Sequence, residues 1–280
     1  MRPLRIQFPY ATYHITVRGN RKNTIFFDDE DRRMFLKILA RTVESHNWIC
    51  HAYCLMNNHF HLAIETPDGN LSKVMRDLNG MYTQVTNKRH GLVGHLFQGR
   101  FSSFLIEQDK YFLEVVRYIV LNPIRANLVK KPEEWIWSSY SATAGYADRP
   151  TWLTTKWIYN YFSNDLNRAR ESYRKFVDEG IGGESPFNQI KEGNILGSQQ
   201  FKDETEAKHE SIFFIKEIKK ADRIIGRPEL AECFENINND ISMRNVAIRI
   251  AHFRCGYPLA EIARFIGLTP AAVGKIAHTK

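Results

Sequence analysis

The chain has 280 residues, 43% of them hydrophobic and 12% aromatic, enough for packed cores in one large domain or two ordinary ones. Lys and Arg number 39 against 31 Asp and Glu, a formal charge of +8 that favours an anionic partner, nucleic acid being the commonest. The first residues are charged without a following apolar run, and no stretch approaches ~18 uninterrupted apolar residues, so neither secretion nor membrane insertion is expected and the chain reads as cytoplasmic.

In chain order, residues 10–18 alternate bulky and polar side chains and end at Gly19-Asn20, predicting a strand and a turn. Residues 28–47 predict a helix: Phe35, Leu36, Leu39, Ala40 and Val43 recur at helical spacing behind an acidic first turn. Residues 48–55 and 59–65 predict two strands joined as a hairpin by Asn57-Asn58. Helical spacing returns over 71–88, a short strand over 101–106, and a further helix from Asp109 that should stop at Asn122, because Pro123 disfavours helical geometry in the residue before it. This order suggests an α+β fold, a ferredoxin-like antiparallel sheet with helices, followed by an all-α C-terminal domain. Helices are expected over 157–162 and 166–180, then a Gly-, Ser- and charge-rich linker around 182–208. Helical patterns follow near 211–225, 227–234, 242–255, 259–266 and 270–278. The expected division is 1–145, a helical extension and linker over 146–208, and 209–280. Cys50, Cys54, Cys233 and Cys255 have neither CxxC pairing nor zinc-finger spacing and read as reduced, mostly buried thiols.

His59-Phe60-His61 lies on a predicted strand, where the side-chain period of two puts both imidazoles on one face and Phe60 on the other. Two neutral imidazoles so placed can share one ion, although an HxH pair taken alone is more often packing. Tyr118 and Asn122, four apart, share one face of a predicted helix and would present a hydroxyl and a carboxamide together. Tyr111, seven residues earlier, lies on nearly the same face and is a rival. Arg18, Arg21, Lys22, Arg100 and Arg125 neighbour these segments and could neutralise phosphates.

Five motifs in order, Tyr13-His-Ile-Thr-Val-Arg-Gly-Asn20, Leu55-Met-Asn-Asn-His-Phe-His-Leu62, Phe97-Gln-Gly-Arg-Phe101, Arg117-Tyr-Ile-Val-Leu-Asn-Pro-Ile-Arg-Ala126 and Trp135-Ile-Trp-Ser-Ser-Tyr140, resemble the single-tyrosine HUH transposases of the REP-associated branch. The likeness runs from about Tyr10 to Tyr140, half the chain. It implies that His59 and His61 are paired ligands of a divalent ion, Mg²⁺ or Mn²⁺, that Asn122 completes the protein ligands, and that Tyr118 rather than Tyr111 is the nucleophile. It also implies a 5′-phosphotyrosine intermediate in the cleavage and rejoining of single-stranded or hairpin DNA. His14 matches a family position and reads as structural or supporting; Asn57 departs from the family, which usually has proline there. A relaxase or replication initiator using the same groups, or a domesticated DNA-binding regulator without turnover, would share these residues. Monomeric and homodimeric forms both fit.

The segment from Tyr257 to Ala277 predicts helix, turn and helix: Gly267 ends one helix, Thr269 caps the next and Pro270 occupies its first turn. It resembles the terminal DNA-binding domain of bacterial replication initiators, which implies duplex DNA as a partner, read through Thr269, Ala271, Ala272, Lys275 and His278.

Overall fold

The structure, a computed structural model, describes residues 6–190, 193–214, 229–235, 240–255 and 257–278. Its contacts divide the chain into two compact units between residues 203 and 204.

The first unit is built on a sheet of order β2-β3-β1-β4-β5. Strands β1 (Ala11–Arg18), β2 (Ile49–Leu55), β3 (His59–Thr66) and β4 (Ser102–Ile106) are antiparallel neighbours, with helix α1 (Asp29–Ser45) between β1 and β2 and α2 (Leu71–His90) between β3 and β4. This is the expected ferredoxin-like order. A fifth strand, β5 (Ile195–Leu196), adds to β4 in parallel and makes the sheet mixed, which the sequence reading did not anticipate. Its two residues lie in the stretch expected to be a linker. That stretch pairs with the sheet through Leu105 N–H to Asn194 O (2.8 Å) and Glu107 N–H to Leu196 O (2.8 Å). Residues 146–203 therefore belong to the first compact unit.

Alternation along the strands creates two cores. Tyr13, Ile15, Val17, Phe60, Leu62 and Ile64 point to one face, where they pack with Phe35 and Leu39 of α1 and Val74 and Leu78 of α2. The opposite face is covered by helix α3 (Gln108–Arg125), whose Phe112, Val115, Val116 and Ile119 pack with Ala52, Cys54 and Ala63. Helices α4 (Tyr140–Ala144), α5 (Lys156–Phe162) and α6 (Leu166–Asp178) extend this second core through Tyr140, Ile158 and Tyr173. Arg117 fastens α6 to α3, donating to Phe176 O (3.1 Å) with its guanidinium 4.2 Å from the Phe176 ring.

Helix α3 does not stop at Asn122. It runs through Pro123 to Arg125, and the reason is local. Proline has no N–H for the carbonyl four residues back, Ile119 O. The Asn122 Nδ2 donates to that oxygen (3.4 Å) and to Tyr118 O (2.9 Å), replacing the missing donor.

The β2–β3 turn is fixed from several sides. Asn57 O accepts from the backbone N–H of Ile25 (3.0 Å) and Phe26 (3.2 Å), and Gly19 N–H donates to Asn58 O (2.8 Å). Asn57 Oδ1 accepts from the Arg32 guanidinium (2.6 Å), a bond that a proline at this position could not make. That guanidinium lies 5.7 to 5.8 Å from the rings of Phe26, Trp135 and Trp137. Trp135 Nε1 donates to Leu55 O (3.1 Å), so the Trp-Ile-Trp motif braces the hairpin. Gly19 is required there: a Cβ would sit 2.1 Å from Asn23 O.

The second unit is helical among its described residues. Helix α7 (Gln199–Phe214) crosses the division, and α8 (Leu230–Cys233), α9 (Ile241–Arg249), α10 (Leu259–Ile266) and α11 (Pro270–His278) follow. The helix expected near 211–225 lies largely outside the described residues. Leu230, Ile248, Ala251, Tyr257, Ile262, Ala263, Val273 and Ala277 form its core. Helices α10 and α11 have the bounds expected. Gly267 closes α10 at φ 72°, a left-handed conformation that favours glycine, and Thr269 Oγ1 accepts from Ala272 N–H (3.2 Å) at the start of α11. No helix among the described residues is long and apolar enough to cross a membrane.

Phe60 is fully buried against Phe35, with ring centroids 4.5 Å apart, and it sits between the two histidines in sequence. Replacing it by alanine is expected to cost about 3–5 kcal/mol in urea unfolding, the range for an unfilled aromatic site in a core.

Candidate active site

The face of the sheet under α3 carries His14 and Thr16 from β1 and His61 from β3. Thr16 stands directly opposite His61, and Arg18 opposite His59. The side-chain alternation therefore groups three imidazoles and a hydroxyl. His14 Nε2 lies 2.9 Å from His61 Nδ1, Thr16 Oγ1 lies 3.1 Å from that same nitrogen, and the His14 and His61 rings stack at 5.1 Å. His59 meets His61 edge-on at 4.9 Å, and its Nδ1 hydrogen-bonds Asn58 Oδ1 at 2.7 Å.

From α3, the half-buried Tyr118 ring stands edge-on to His14 (5.8 Å) and His61 (6.0 Å). Tyr111 makes no such contact, so of the two rival phenols only Tyr118 reaches the histidines. Asn122, one turn on, is buried and tied by Nδ2 to the Tyr118 carbonyl; both of its hydrogen bonds use the amide nitrogen, so neither occupies Oδ1. The Arg125 guanidinium lies 5.2 Å from the Tyr118 ring centroid and donates to Glu184 O (3.2 Å).

A residue from outside the motifs completes the enclosure. Phe187, in the 3-10 turn Pro186–Gln189, stacks on His14 (4.6 Å) and meets Tyr118 edge-on (5.2 Å). Its segment was expected to be linker; the Ser-Pro-Phe string of residues 185–187, with Ser185 capping the turn, was the available signal.

Burial sets the charge state. It holds the His14 imidazole down to about 3 and, together with the nearby Arg18 cation, His59 down to about 4. His61 is held well below its ordinary range, by burial first and then by His14, His59 and Arg18. All three are neutral near pH 7, the form in which an imidazole donates a lone pair.

The donors suit a divalent ion. His61 Nε2 is buried without a hydrogen-bond partner, while Nδ1 of both His59 and His61 is engaged. Each ring thus has one nitrogen oriented by a neighbour and the other left as a possible ligand, the usual arrangement of metal-binding histidines. Among the described residues no three His, Cys, Asp or Glu side chains form a metal-binding group.

Of the proposed DNA contacts, Arg18, Arg21, Lys22, Arg100 and Arg125 are all exposed. Arg18 pairs in register with His59, Arg21 and Lys22 follow in the turn Asn20–Lys22, and Gln98 N–H donates to Arg18 O (2.9 Å), drawing the segment before Arg100 to the same strand end. Thr269 and Lys275 are exposed on the start and outer side of α11, in the second unit.

Two expectations follow. The unfolded histidines titrate near 6.5 and the folded ones lower, so the unfolded chain takes up protons first as pH falls. Stability should be level above pH 6.5 and decline as pH drops toward 4, with His59→Gln giving a shallower decline in urea midpoint. Asn122→Ala, which leaves Ile119 O without its substitute donor, should lower stability by about 1–3 kcal/mol in the same measurement.

Residues 7–122 match a family model described as "Transposase IS200 like", a span of less than half the chain that holds β1 to β4, both paired histidines, Tyr118 and Asn122. A solved structure titled "Structure of the REP associates tyrosine transposase bound to a REP hairpin" is similar at 19% identity and a TM-score of 0.47, over 55% of this chain and 91% of that one. No curated protein matches the chain. Strands β1 to β4, with the histidine pair, Tyr118 and Asn122, thus fall within the matched span, and over residues 7–122 this chain is similar to the IS200-like transposase family.

Proposed function

We propose that the chain is a metal-dependent tyrosine transposase that cleaves and rejoins single-stranded DNA, with hairpins as its substrate class. The observation that carries this reading is the meeting of a half-buried phenol, Tyr118, with His61, whose Nε2 is buried and unpartnered. His59, His61 and Asn122 would hold a divalent ion through two neutral nitrogens and an amide oxygen; the set suits Mn²⁺ better than Mg²⁺, which prefers oxygen. Such an ion, when bound, withdraws charge from a phosphate and favours a developing oxyanion.

The remaining roles belong to the chain itself. Tyr118 Oη attacks phosphorus and the bond to the 3′ oxygen breaks. The phenol's proton passes to solvent and the 3′ end leaves as a hydroxyl, so one ester replaces another. The 5′-phosphotyrosine conserves the bond energy, and reversal by another 3′ hydroxyl joins strands without a nucleotide cofactor. Packing against two histidines and Phe187 limits the Tyr118 ring to few orientations, which lowers the entropic cost of alignment. Arg125, beside that ring, is suited to a flanking phosphate. Arg18, Arg21, Lys22 and Arg100 would receive the strand at the His59 end of the sheet. In the second unit, the helix-turn-helix of α10 and α11 would engage duplex DNA, with Thr269 and Lys275 toward the groove.

The test is incubation with end-labelled hairpin DNA carrying a single-stranded flank, in Mn²⁺, followed by denaturing electrophoresis. A covalent adduct is expected for the wild type and Tyr111→Phe, none for Tyr118→Phe, and at most a trace for His59→Ala. An undiminished adduct from Tyr118→Phe would sink the nucleophile assignment. Footprints on duplex DNA without any adduct would favour a regulator that has lost turnover.

A further inference from the structure

One group in the site has no task in that reading. His14 is 3% exposed, stacked on Phe187 at 4.6 Å and Phe104 at 6.2 Å, and its Nδ1 is buried without a hydrogen-bond partner. A buried polar atom left unpaired is costly, so a histidine is a poor choice for filling this space unless its other nitrogen is needed. That nitrogen, Nε2, lies 2.9 Å from His61 Nδ1.

A single proton lies between those two nitrogens, and its location decides what His61 can do. If His14 Nε2 carries it, His61 Nδ1 accepts, and the neutral His61 ring must carry its own proton on Nε2. The atom facing the site is then a buried N–H, which cannot ligate a cation. If His61 Nδ1 carries it and donates to His14 Nε2, the His61 Nε2 lone pair is free. His14 in turn holds its proton on Nδ1, the atom found buried and unpartnered. The second arrangement needs a good acceptor at His61 Nδ1. Thr16 Oγ1, at 3.1 Å, is the other group within reach, and a hydroxyl is a weaker acceptor than an imidazole nitrogen.

Resting on the metal-site reading above, we infer that His14 is a positioning residue: by accepting the His61 Nδ1 proton it holds His61 in the tautomer whose Nε2 can bind the ion. The role is distinct from ligation, since His14 Nε2 is committed to His61. It also explains why β1 presents a histidine and a threonine on its site face where two apolar residues would pack more cheaply against α3.

The experiment is a titration of the full chain with Mn²⁺ alone, without DNA, by calorimetry or by the electron paramagnetic resonance of free Mn²⁺. The proteins compared are the wild type, His14→Leu, His14→Gln, Thr16→Val and His61→Ala. His14→Leu keeps the bulk and removes the acceptor, and should weaken Mn²⁺ binding on the order of 10-fold or more. In His14→Gln the side-chain oxygen can accept the same proton, and affinity should stay within about threefold of wild type. Thr16→Val should fall between them. A purely structural role would not separate Leu from Gln in this order. Wild-type affinity in His14→Leu with loss in His61→Ala would overturn the inference and leave the metal site standing, and equal weakening by Gln and Leu would also overturn it. Wild-type affinity in His61→Ala would remove the metal-site reading itself.

Discussion

A strand shows alternate side chains to opposite faces, and the antiparallel register of β1 on β3 turns that rule into a site. Thr16 faces His61 and Arg18 faces His59, so a slip of one residue would send the imidazoles into the apolar layer and Phe60, Leu62 and Ile64 toward α3. The aromatic packing of Phe60 with Phe35 and Phe97 therefore does more than fill a core. It fixes which face the histidines occupy, and the bonds around Asn57 and Asn58 fix how far along that face they lie.

The strands, the hairpin and the histidine pair were legible because each depends on a short periodic pattern. Helices α10 and α11 were legible to the residue because Gly267, Thr269 and Pro270 are strong local punctuation. Strand β5 was not: two residues cannot display a period, and its surroundings in Gly-, Ser- and charge-rich sequence resemble a connector. Phe187 was missed for the same reason. Its contact with His14 spans more than 170 residues of chain, and only tertiary packing brings the two together. Tyr118 and Asn122 could be put on one helix face from spacing, but spacing does not specify which side of the sheet α3 covers.

The end of α3 shows a local rule overridden by a side chain. A proline normally costs a helix one hydrogen bond and forces its predecessor out of helical geometry. Here the predecessor is an asparagine whose amide supplies the absent donor to Ile119 O, and the helix continues for two further residues. The same arrangement leaves Asn122 with its nitrogen facing its own backbone and its oxygen outside those bonds. A glutamine would hold that oxygen farther from the backbone, and an aspartate would offer no donor. Structure and proposed chemistry thus call for the same residue type, and a tolerance for proline becomes a means of orienting a carboxamide.

The three imidazoles at this face are held neutral by burial, the hydroxyl of Thr16 and the carboxamide of Asn122 carry no charge, and the cations around them add positive potential. A dication resting there would keep nearly its whole charge and be held loosely by the polypeptide alone. The missing negative charge would come from the nucleic acid, so each would raise the other's affinity by the same factor. On the proposed function, such a centre would hold its ion weakly by itself and more tightly once its polyanion arrives, tying the assembly of the reactive state to the presence of something to cut.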